Sequence, residues 1–242
     1  MDEPNEGDSY LIAGKLPCPK CTSSDAYHVY SNGWGHCFSC AVNIPEDVES
    51  NTREVAPMQA GLIPKGEHTY LKKRKIDADT CQFWDYTVSE YKGSTVQVAN
   101  YKDKSGATIA QKIRLPDKSF KFLGDTKNIP LYGQWLWSSG GKMVTIFEGE
   151  LDAISGSQTQ GNRYPCVSIP TGAQGAVKAV TQNIEWLLTF DRVNIMFDMD
   201  EAGKEAALKV AALFPPRKAH IGVLPHKDAS DMVMKGLGAD LI

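Results

Sequence analysis

The sequence predicts an α/β domain with a parallel sheet, preceded by a mixed α+β segment and a small module that contains four cysteines. Three observations support this prediction: the spacing of the cysteines, alternating strand patterns in the middle of the chain, and alternating strands and helices from residue 143 onward. Strands that alternate with helices are typical of a parallel sheet with helical crossovers. The 242 residues are enough to bury a sizeable core.

The four-cysteine pattern lies near the N-terminus. Cys18 and Cys21 form one Cys-x2-Cys pair, and fifteen residues later Cys37 and Cys40 form a second. Because four thiolates fill a tetrahedron around zinc, this spacing predicts one structural zinc ion rather than disulfides. A closed four-cysteine site has no open position for catalysis, so the metal would stabilise a module too small to fold alone.

The segment 31–36 between the two cysteine pairs is predicted to form the tip of a hairpin. It contains Trp34 and His36, which can stack on or hydrogen-bond to nucleobases in a zinc-bound module. The alternative is that Trp34 packs over the module. Residues 1–60 contain 3 Lys/Arg and 9 Asp/Glu, so phosphate contacts alone cannot explain DNA binding here.

The middle of the chain is basic and follows a segment, residues 45–62, that we interpret as a flexible linker because it lacks apolar periodicity. Residues 65–121 contain 12 Lys/Arg and 7 Asp/Glu, a balance that suits phosphate-bearing substrates. Residues 68–86 predict two short helices separated by a turn. Residues 96–101 and 108–114 alternate like two antiparallel strands.

Four cations lie on or just after the second of these strands. Lys112 and Arg114 share one strand face, and Lys118 and Lys121 lie on the following segment. One interpretation is a cradle for a triphosphate or a template. The other is a solvated strand face with no ligand.

Two predicted parallel strands end in acidic residues. Residues 143–148 end at Glu148, and residues 193–198 end at Asp198, with Asp200 two residues later. The carboxyl ends of parallel strands meet at one edge of a sheet, where ligands bind. Carboxylates gathered there repel each other unless a cation joins them, so this edge is predicted to bind a divalent metal, preferably magnesium. Asp200 alone could instead only cap the following helix.

Further acids and elements complete this region. Glu150 and Asp152 begin the helix after the first acidic strand, and Asp228 follows a predicted strand at 219–225. A strand is also predicted at 164–170, with helices near 150–160, 173–189 and 201–213. In the last of these, Glu205 precedes Lys209 by four residues, as a stabilising surface pair does.

These motifs resemble the Toprim signature shared by bacterial-type primases, topoisomerases and some nucleases. The order of the segments resembles the primase half of T7-type bacteriophage primase-helicases. The resemblance rests on Phe147-Glu148-Gly149-Glu150-Leu151-Asp152, Met196-Phe197-Asp198-Met199-Asp200-Glu201-Ala202-Gly203, Gln111-Lys112 and Lys227-Asp228-Ala229. It implies an α/β Toprim domain with a mixed α+β N-terminal subdomain, preceded by a zinc-ribbon β module.

The resemblance also implies boundaries and an activity. The expected parts are a zinc-ribbon template-binding module at 1–44, the linker at 45–62, a basic subdomain at 63–142 and a Toprim catalytic subdomain at 143–242. The implied activity is DNA-templated synthesis of short RNA primers from ribonucleoside triphosphates on single-stranded DNA, a nucleotidyl transfer. One or two magnesium ions would take part.

Roles for individual residues follow from the same resemblance. Glu148, Asp198 and Asp200 correspond to the magnesium-binding acids, and a supporting set consists of Glu150, Asp152 and Asp228. Lys112 and Lys118 correspond to lysines near the nucleotides, Arg74 falls where the family has an active-site arginine, and Arg114 and Lys121 are assigned with it to nucleotide or template binding. The family's template-reading histidine aligns with Trp34 and a neighbouring aspartate with Asn32, while His36 lies two positions later, so the preferred template triplet is not predicted.

The expected partners are the DNA template, a replicative helicase that is fused or separate, and a DNA polymerase. The family's helicase half is absent from this sequence, which indicates a separately encoded primase or one portion of a longer protein. The sequence shows no signal peptide and no apolar run of membrane length, so we expect a cytoplasmic protein, in a host cell if a phage encodes it.

Two alternatives to a primase stay open. One is a Toprim nuclease or topoisomerase-like strand cleaver that uses the same acids. The other is a non-catalytic, zinc-dependent DNA-binding adaptor of a replisome. The oligomeric state, and whether the zinc module acts on its own chain or on a neighbour, are not predicted.

Overall fold

The structure, a computed structural model, describes residues 11–18, 20–21, 23–30, 34–45, 61–64 and 66–241. The chain divides into two compact units, Met1–Ala56 and Pro57–Ile242. Nearly all of the expected linker lies outside the described residues, and so does Asn32.

The first unit contains one four-stranded antiparallel sheet in the order β1-β2-β3-β4. Its strands are β1 Leu11–Leu16, β2 Tyr27–Tyr30, β3 Trp34–Cys37 and β4 Asn43–Pro45. Strands β2 and β3 pair with Tyr30 opposite Trp34. Residues 34–36 of the expected hairpin tip therefore lie on strand β3, and residues 31–33 lie outside the described residues. A Cβ atom at Gly35 would collide with the Tyr27 ring, so only glycine fits at this point of β3.

The second unit begins with a short helix and a four-stranded antiparallel meander in the order β5-β6-β7-β8. The elements are α1 Ala78–Phe83, β5 Tyr86–Tyr91, β6 Ser94–Lys102, β7 Thr108–Arg114 and β8 Phe120–Gly124. The predicted antiparallel pairing of the strands that are now β6 and β7 is confirmed. Helix α1 begins where the Asp77 carboxylate accepts a hydrogen bond from the Thr80 amide, at 2.6 Å.

The predicted helix before α1 is wrong. Leu71 and Ile76 form an isolated antiparallel bridge around a turn at residues 72–75. Both side chains are buried. The bridge therefore lets both apolar side chains enter the core. The free energy gained by burying them outweighs the local helix propensity of the lysines and arginine between them.

From residue 141 the chain forms a parallel four-stranded sheet in the order β10-β9-β11-β12, which confirms the predicted α/β unit. Its elements are β9 Gly141–Phe147, α2 Glu150–Thr159, β10 Cys166–Ser168, α3 Ala176–Gln182, α4 Ile184–Leu188, β11 Phe190–Met196, α5 Glu201–Ala211, β12 Ala219–Ile221 and α6 Ala229–Met234. Strands β9 and β11 are neighbours, with Phe147 opposite Met196.

Three details of this unit differ from the prediction. The single helix expected at 173–189 is a 3-10 turn followed by α3 and α4, which are separated at Asn183. At this break the Asn183 side-chain Nδ2 donates to the Ala179 carbonyl at 2.9 Å, which binds a carbonyl of the last turn of α3. The last strand is shorter than expected, and α6 was not predicted.

The parallel sheet is covered on both faces. On one face, Val144 and Ile195 pack with the buried side of α5, which includes Val210. On the other, Phe147 and Ile154 share a core with residues of the antiparallel meander. Among the described residues, no helix has both the length and the apolar character needed to cross a membrane.

Candidate functional site

The four cysteines of the first unit converge. The sulfur atoms of Cys18 and Cys40 are 3.8 Å apart, and those of Cys21 and Cys37 are also 3.8 Å apart. Sulfur ligands about 2.3 Å from a tetrahedral zinc ion lie roughly 3.8 Å from each other. All four sulfur atoms lie within 4.8 Å of one another. Their arrangement therefore fits zinc as it stands.

The outward face of this module is aromatic. Along β3, Gly35 and Cys37 are buried while Trp34 and His36 point outward, and Trp34 is 48% exposed. His36 Nδ1 lies 2.6 Å from the Asn43 side-chain oxygen. The exposed Phe38 ring contacts His36 edge-on, with centroids 4.7 Å apart. The exposure of Trp34 favours a surface role over burial against the module.

Glu148 lies at the carboxyl end of the parallel sheet, directly after β9. Its Oε1 accepts a hydrogen bond from the Ala173 amide at 3.2 Å, and its Oε2 accepts one from the Asp198 amide at 3.4 Å. A Cβ atom at Gly203 would lie 3.0 Å from Glu148 Oε2 and would collide with the Asp198 carbonyl oxygen. The glycine thus lets α5 approach this edge closely.

Asp198 and Asp200 follow β11 at the same edge. As expected, Asp200 caps α5: its Oδ1 accepts a hydrogen bond from the Gly203 amide at 2.9 Å. A metal-binding role for Asp200 would therefore fall to Oδ2. Among the described residues, only the cysteine cluster brings three or more metal-ligating atoms within 4.8 Å of one another. The acids share an edge but are not drawn together to that degree.

The charges of these acids nevertheless interact. Burial, followed by the nearby charges of Glu148 and Asp228, raises the pKa of Asp198 to about 6. Burial, followed by the charges of Asp228 and Asp198, raises the pKa of Asp152 to about 8. Both shifts mean that the ionised carboxylates are destabilised where they lie. A cation bound among them would relieve this cost, which is the behaviour expected of a metal site.

Two basic residues border the acids. Lys227 Nζ lies 3.5 Å from Asp198 Oδ2 and 3.7 Å from Asp228 Oδ2, and these charges raise its pKa. Arg74 Nη1 donates to the Ser230 hydroxyl at 3.0 Å, while the Ser230 amide donates to Asp152 Oδ1 at 3.0 Å. Arg74 is thereby held beside the acids although it lies far away in sequence.

Glu150 is buried and faces away from open solvent. Its carboxylate accepts a hydrogen bond from the Tyr101 hydroxyl at 2.6 Å and two from Lys112 Nζ at 2.8 and 3.0 Å. The Lys112 side chain is only 10% exposed. The Lys112 ammonium group is therefore committed to Glu150 in this structure, and its expected contact with a nucleotide or template stays a prediction.

The other cations of the expected cradle are also separated. Arg114 lies beside the exposed Phe120 ring, 5.7 Å from its centroid. Lys118 lies exposed in the β7–β8 turn, with φ of 69°. Lys121 pairs opposite Ile113 on the other sheet face, where its Nζ is 2.9 Å from the Tyr91 hydroxyl. Lys121 thus lies on the opposite sheet face from Arg114, and the assignment of both residues to nucleotide or template binding stays a prediction.

Comparisons with known proteins match both parts of the second unit. Residues 66–124 match a family described as the N-terminal a+b fold of the bacteriophage T7 DNA helicase/primase, and residues 145–233 match a Toprim-like family. The primase fragment of the bacteriophage T7 primase-helicase is 32% identical, with a TM-score of 0.69 over 96% of this chain and 98% of that chain. The chain belongs to the T7-type primase family.

Two further relatives lie in the same family. The DNA helicase/primase of Enterobacteria phage T3 is 35% identical over 241 residues, which cover 95% of this chain and 42% of that protein. A second structure contains the T7 lagging-strand DNA polymerase interacting with primase domains of two gp4 subunits bound to an RNA/DNA hybrid and dTTP. It is 37% identical, with a TM-score of 0.69 over 73% of this chain and 89% of that chain.

Some residues at this acidic edge of the parallel sheet were missed from sequence. Ser230, which joins Arg74 to Asp152, carries no motif of its own and shows its role only when α6 is in place. Lys227 belongs to a motif that carried the resemblance but was given no role, and Tyr101 looked like an ordinary strand residue. A signal for Tyr101 would have been the contact between β6 and α2, which spacing along the chain does not reveal.

Proposed function

We propose that this chain is a DNA primase domain that makes short RNA primers from ribonucleoside triphosphates on single-stranded DNA. The observation that carries the proposal is the placement of Glu148, Asp198 and Asp200 after neighbouring parallel strands, with Asp198 electrostatically coupled to Glu148. Membership of the T7-type family supports the same reaction.

The reaction joins two ribonucleotides. The 3′-hydroxyl of one attacks the α-phosphorus of the next, and pyrophosphate leaves. One or two magnesium ions, held by Glu148, Asp198 and Asp200, would activate the attacking oxygen and neutralise the leaving group. Lys227, more than half exposed beside Asp198, is placed to bind a phosphate oxygen. Asp152 and Asp228 support the edge through the N-terminus of α6.

The remaining cations suit nucleotide or template binding. Arg114 and Phe120 present a charge beside an exposed ring, and Lys118 lies on the next turn. Arg74 is held at the acidic edge through Ser230. Lys121, on the opposite face of the meander, would then contact a more distant part of the template.

In the first unit, we assign template reading to the outward face of β3. Trp34 would stack on a base, His36 would hydrogen-bond to one, and Asn32 would assist. Zinc, one ion on Cys18, Cys21, Cys37 and Cys40, would stabilise this module without entering the chemistry. The division into parts at 1–44, 45–62, 63–142 and 143–242 belongs to this proposal.

The proposed partners are a replicative helicase and a DNA polymerase. The phage T3 relative is named a helicase/primase, and this chain spans 42% of its length. The T7 primase domains that resemble this chain interact with a DNA polymerase in the structure cited above. We propose that this chain works with proteins of both kinds in a host-cell cytoplasm.

One assay tests the function against both alternatives. The protein is incubated with short single-stranded templates that scan all trinucleotides, magnesium and labelled ribonucleotides. Template-dependent di- to tetranucleotide products are expected. Shortened templates would indicate a nuclease, and a mobility shift without new products would indicate a DNA-binding adaptor. Asp198→Ala should lose this synthesis, and Glu205→Ala is its matched control, because Glu205 is an exposed carboxylate whose only ion pair among the described residues is with Lys209.

A further inference from the structure

The buried ion pair between Glu150 and Lys112 lies where the two parts of the second unit meet. Glu150 is the first residue of α2, and Lys112 belongs to β7 of the meander. Tyr101, on the adjacent strand β6, donates the third hydrogen bond to the same carboxylate. Glu150 is 6% exposed and Tyr101 is fully buried. A buried carboxylate is tolerated only when its partners satisfy it with good geometry.

Along the chain, Glu150 lies between a proposed magnesium ligand and an acid of the supporting set. Glu148 precedes Glu150 by two residues and Asp152 follows it by two, so the position of Glu150 fixes the backbone that carries both. The three hydrogen bonds occupy both oxygens of Glu150 with protein donors. A carboxylate bound in this way is an anchor for the strand-to-helix turn.

We propose that Tyr101 and Lys112 are positioning residues that hold Glu150 out of the metal site and thereby fix Glu148, a proposed magnesium ligand, and Asp152, which supports the same acidic edge. The proposal rests on the proposed function, since it concerns the same acidic edge. It assigns Tyr101 a role, and it reassigns Lys112 from contact with a nucleotide to orientation of the acids. Removal of a residue that orients a metal ligand without binding the metal itself typically lowers metal affinity about 10–100-fold.

The chain offers a matched pair of tyrosines to test this. Tyr101 and Tyr132 are both fully buried, and their ring centroids are 5.1 Å apart. The Tyr132 hydroxyl donates to the Trp84 carbonyl at 2.7 Å and does not reach Glu150 among the contacts of the described residues. Tyr101→Phe and Tyr132→Phe therefore each remove one buried hydroxyl from the same core, but only the first removes a hydrogen bond to Glu150.

The measurement is Mn²⁺ binding to the full chain, followed by the electron paramagnetic resonance signal of the free ion, with thermal unfolding as the folding check. We expect Tyr101→Phe to weaken Mn²⁺ binding about tenfold and Tyr132→Phe to leave it unchanged. Equal affinities in the two variants would overturn the proposal. Because binding is measured without nucleotides, the result stands even if wild-type protein makes no primers, an outcome that would refute only the proposed function.

A second variant covers the case in which Tyr101→Phe does not fold. Glu150→Gln keeps the shape of the side chain and removes the charge that pairs with Lys112. We expect it to weaken Mn²⁺ binding by a similar factor. Unchanged Mn²⁺ affinity in Glu150→Gln would overturn the proposal. Complete loss of Mn²⁺ binding in Glu150→Gln would also overturn it, because Glu150 would then be a metal ligand itself.

Discussion

The two candidate metal centres of this chain are organised in opposite ways. The cysteine sulfurs already stand at tetrahedral separations, with 3.8 Å between the members of each close pair. The carboxylates of the second unit share an edge of the parallel sheet but stay apart, and their mutual repulsion and burial raise the pKa of Asp198 to about 6. The cysteine centre has all four of its ligands in place, whereas the carboxylates of the second centre repel one another when no cation lies between them.

This difference corresponds to what each centre has to do. A structural site needs all four ligands from the protein and no exchange. A site for phosphoryl transfer needs room for a substrate, and part of the ion's coordination shell belongs to the nucleotide. Carboxylates held slightly apart, two of them with raised pKa values, suit an ion whose remaining coordination positions a triphosphate can fill. The following variants test this contrast.

Removing a single acid should affect the reaction most strongly. We expect Asp198→Ala to lower primer synthesis by about a thousandfold, because several kcal/mol of charge stabilisation would be lost. The far-ultraviolet circular dichroism spectrum should stay close to that of the wild type. Normal product yield would count against Asp198 as a metal ligand and would remove the functional half of the comparison.

Breaking the closed site should act through structure instead. We expect Cys37→Ser to release zinc and to lower template-dependent initiation by about a hundredfold, because the small module loses the metal that holds it together. Extension of a supplied dinucleotide should fall much less. Elemental analysis measures the zinc directly, and unchanged zinc content would refute the ligand assignment.

The raised pKa of Asp152 allows a test of charge repulsion at the acidic edge through the stability of the protein. In the folded protein burial and neighbouring acids raise this pKa to about 8, against 3.8 for an ordinary aspartate. Stability from this group is therefore fully present below about pH 4 and is lost as the pH rises towards 8. In magnesium-free buffer we expect Asp152→Asn, which mimics the protonated form, to raise the free energy of unfolding by about 2 kcal/mol at pH 8.

At pH 4 the same substitution should change the free energy of unfolding by only about 0.5 kcal/mol, since Asp152 is then protonated in the folded wild type and still partly protonated in the unfolded state, where its pKa is 3.8. Denaturant titrations at the two pH values measure the difference. Equal effects at both values would mean that Asp152 ionises normally. The charge repulsion between Asp152 and its neighbouring acids would then be smaller than the structure indicates.

The smallest expected effect concerns template reading by the outward face of β3 in the zinc module. Trp34→Ala should weaken initiation at the preferred triplet about tenfold, since stacking of one base contributes about 1–3 kcal/mol. Initiation at other triplets and dinucleotide extension should change less. Phe38→Ala is a matched control, because Phe38 is also an exposed aromatic residue of the same module. Equal losses in initiation and extension would remove Trp34 from template reading.

Local patterns predicted much of this molecule. The cysteine cluster follows from two short motifs, and the adjacency of Glu148 and Asp198 follows from strands that end in acids. Such inferences succeed because the relevant residues are close in sequence, or because parallel sheets place strand ends together. The cap formed by Asp200 is local in the same sense.

Contacts between distant elements could not be predicted in this way. The pairing of Lys112 with Glu150 joins a strand of the antiparallel meander to the first residue of α2, 38 positions later in the sequence. The face on which Lys121 lies depends on the length of the β7–β8 turn, since a shift of one residue in register reverses it. The bridge between Leu71 and Ile76 forms because both side chains become buried in the core. A search for helical periodicity in the sequence does not detect such a pairing.

The core beneath the acidic edge has a practical consequence. Trp84 and Tyr101 from the meander region pack in one cluster with Phe147 and Ile154 from the parallel sheet and its helix. A cut at residue 142 would expose the apolar surface of this cluster to water on both fragments. Neither fragment should therefore be stable enough to purify. Shortened versions of this protein for crystallography or labelling should keep residues 63–241 in one piece.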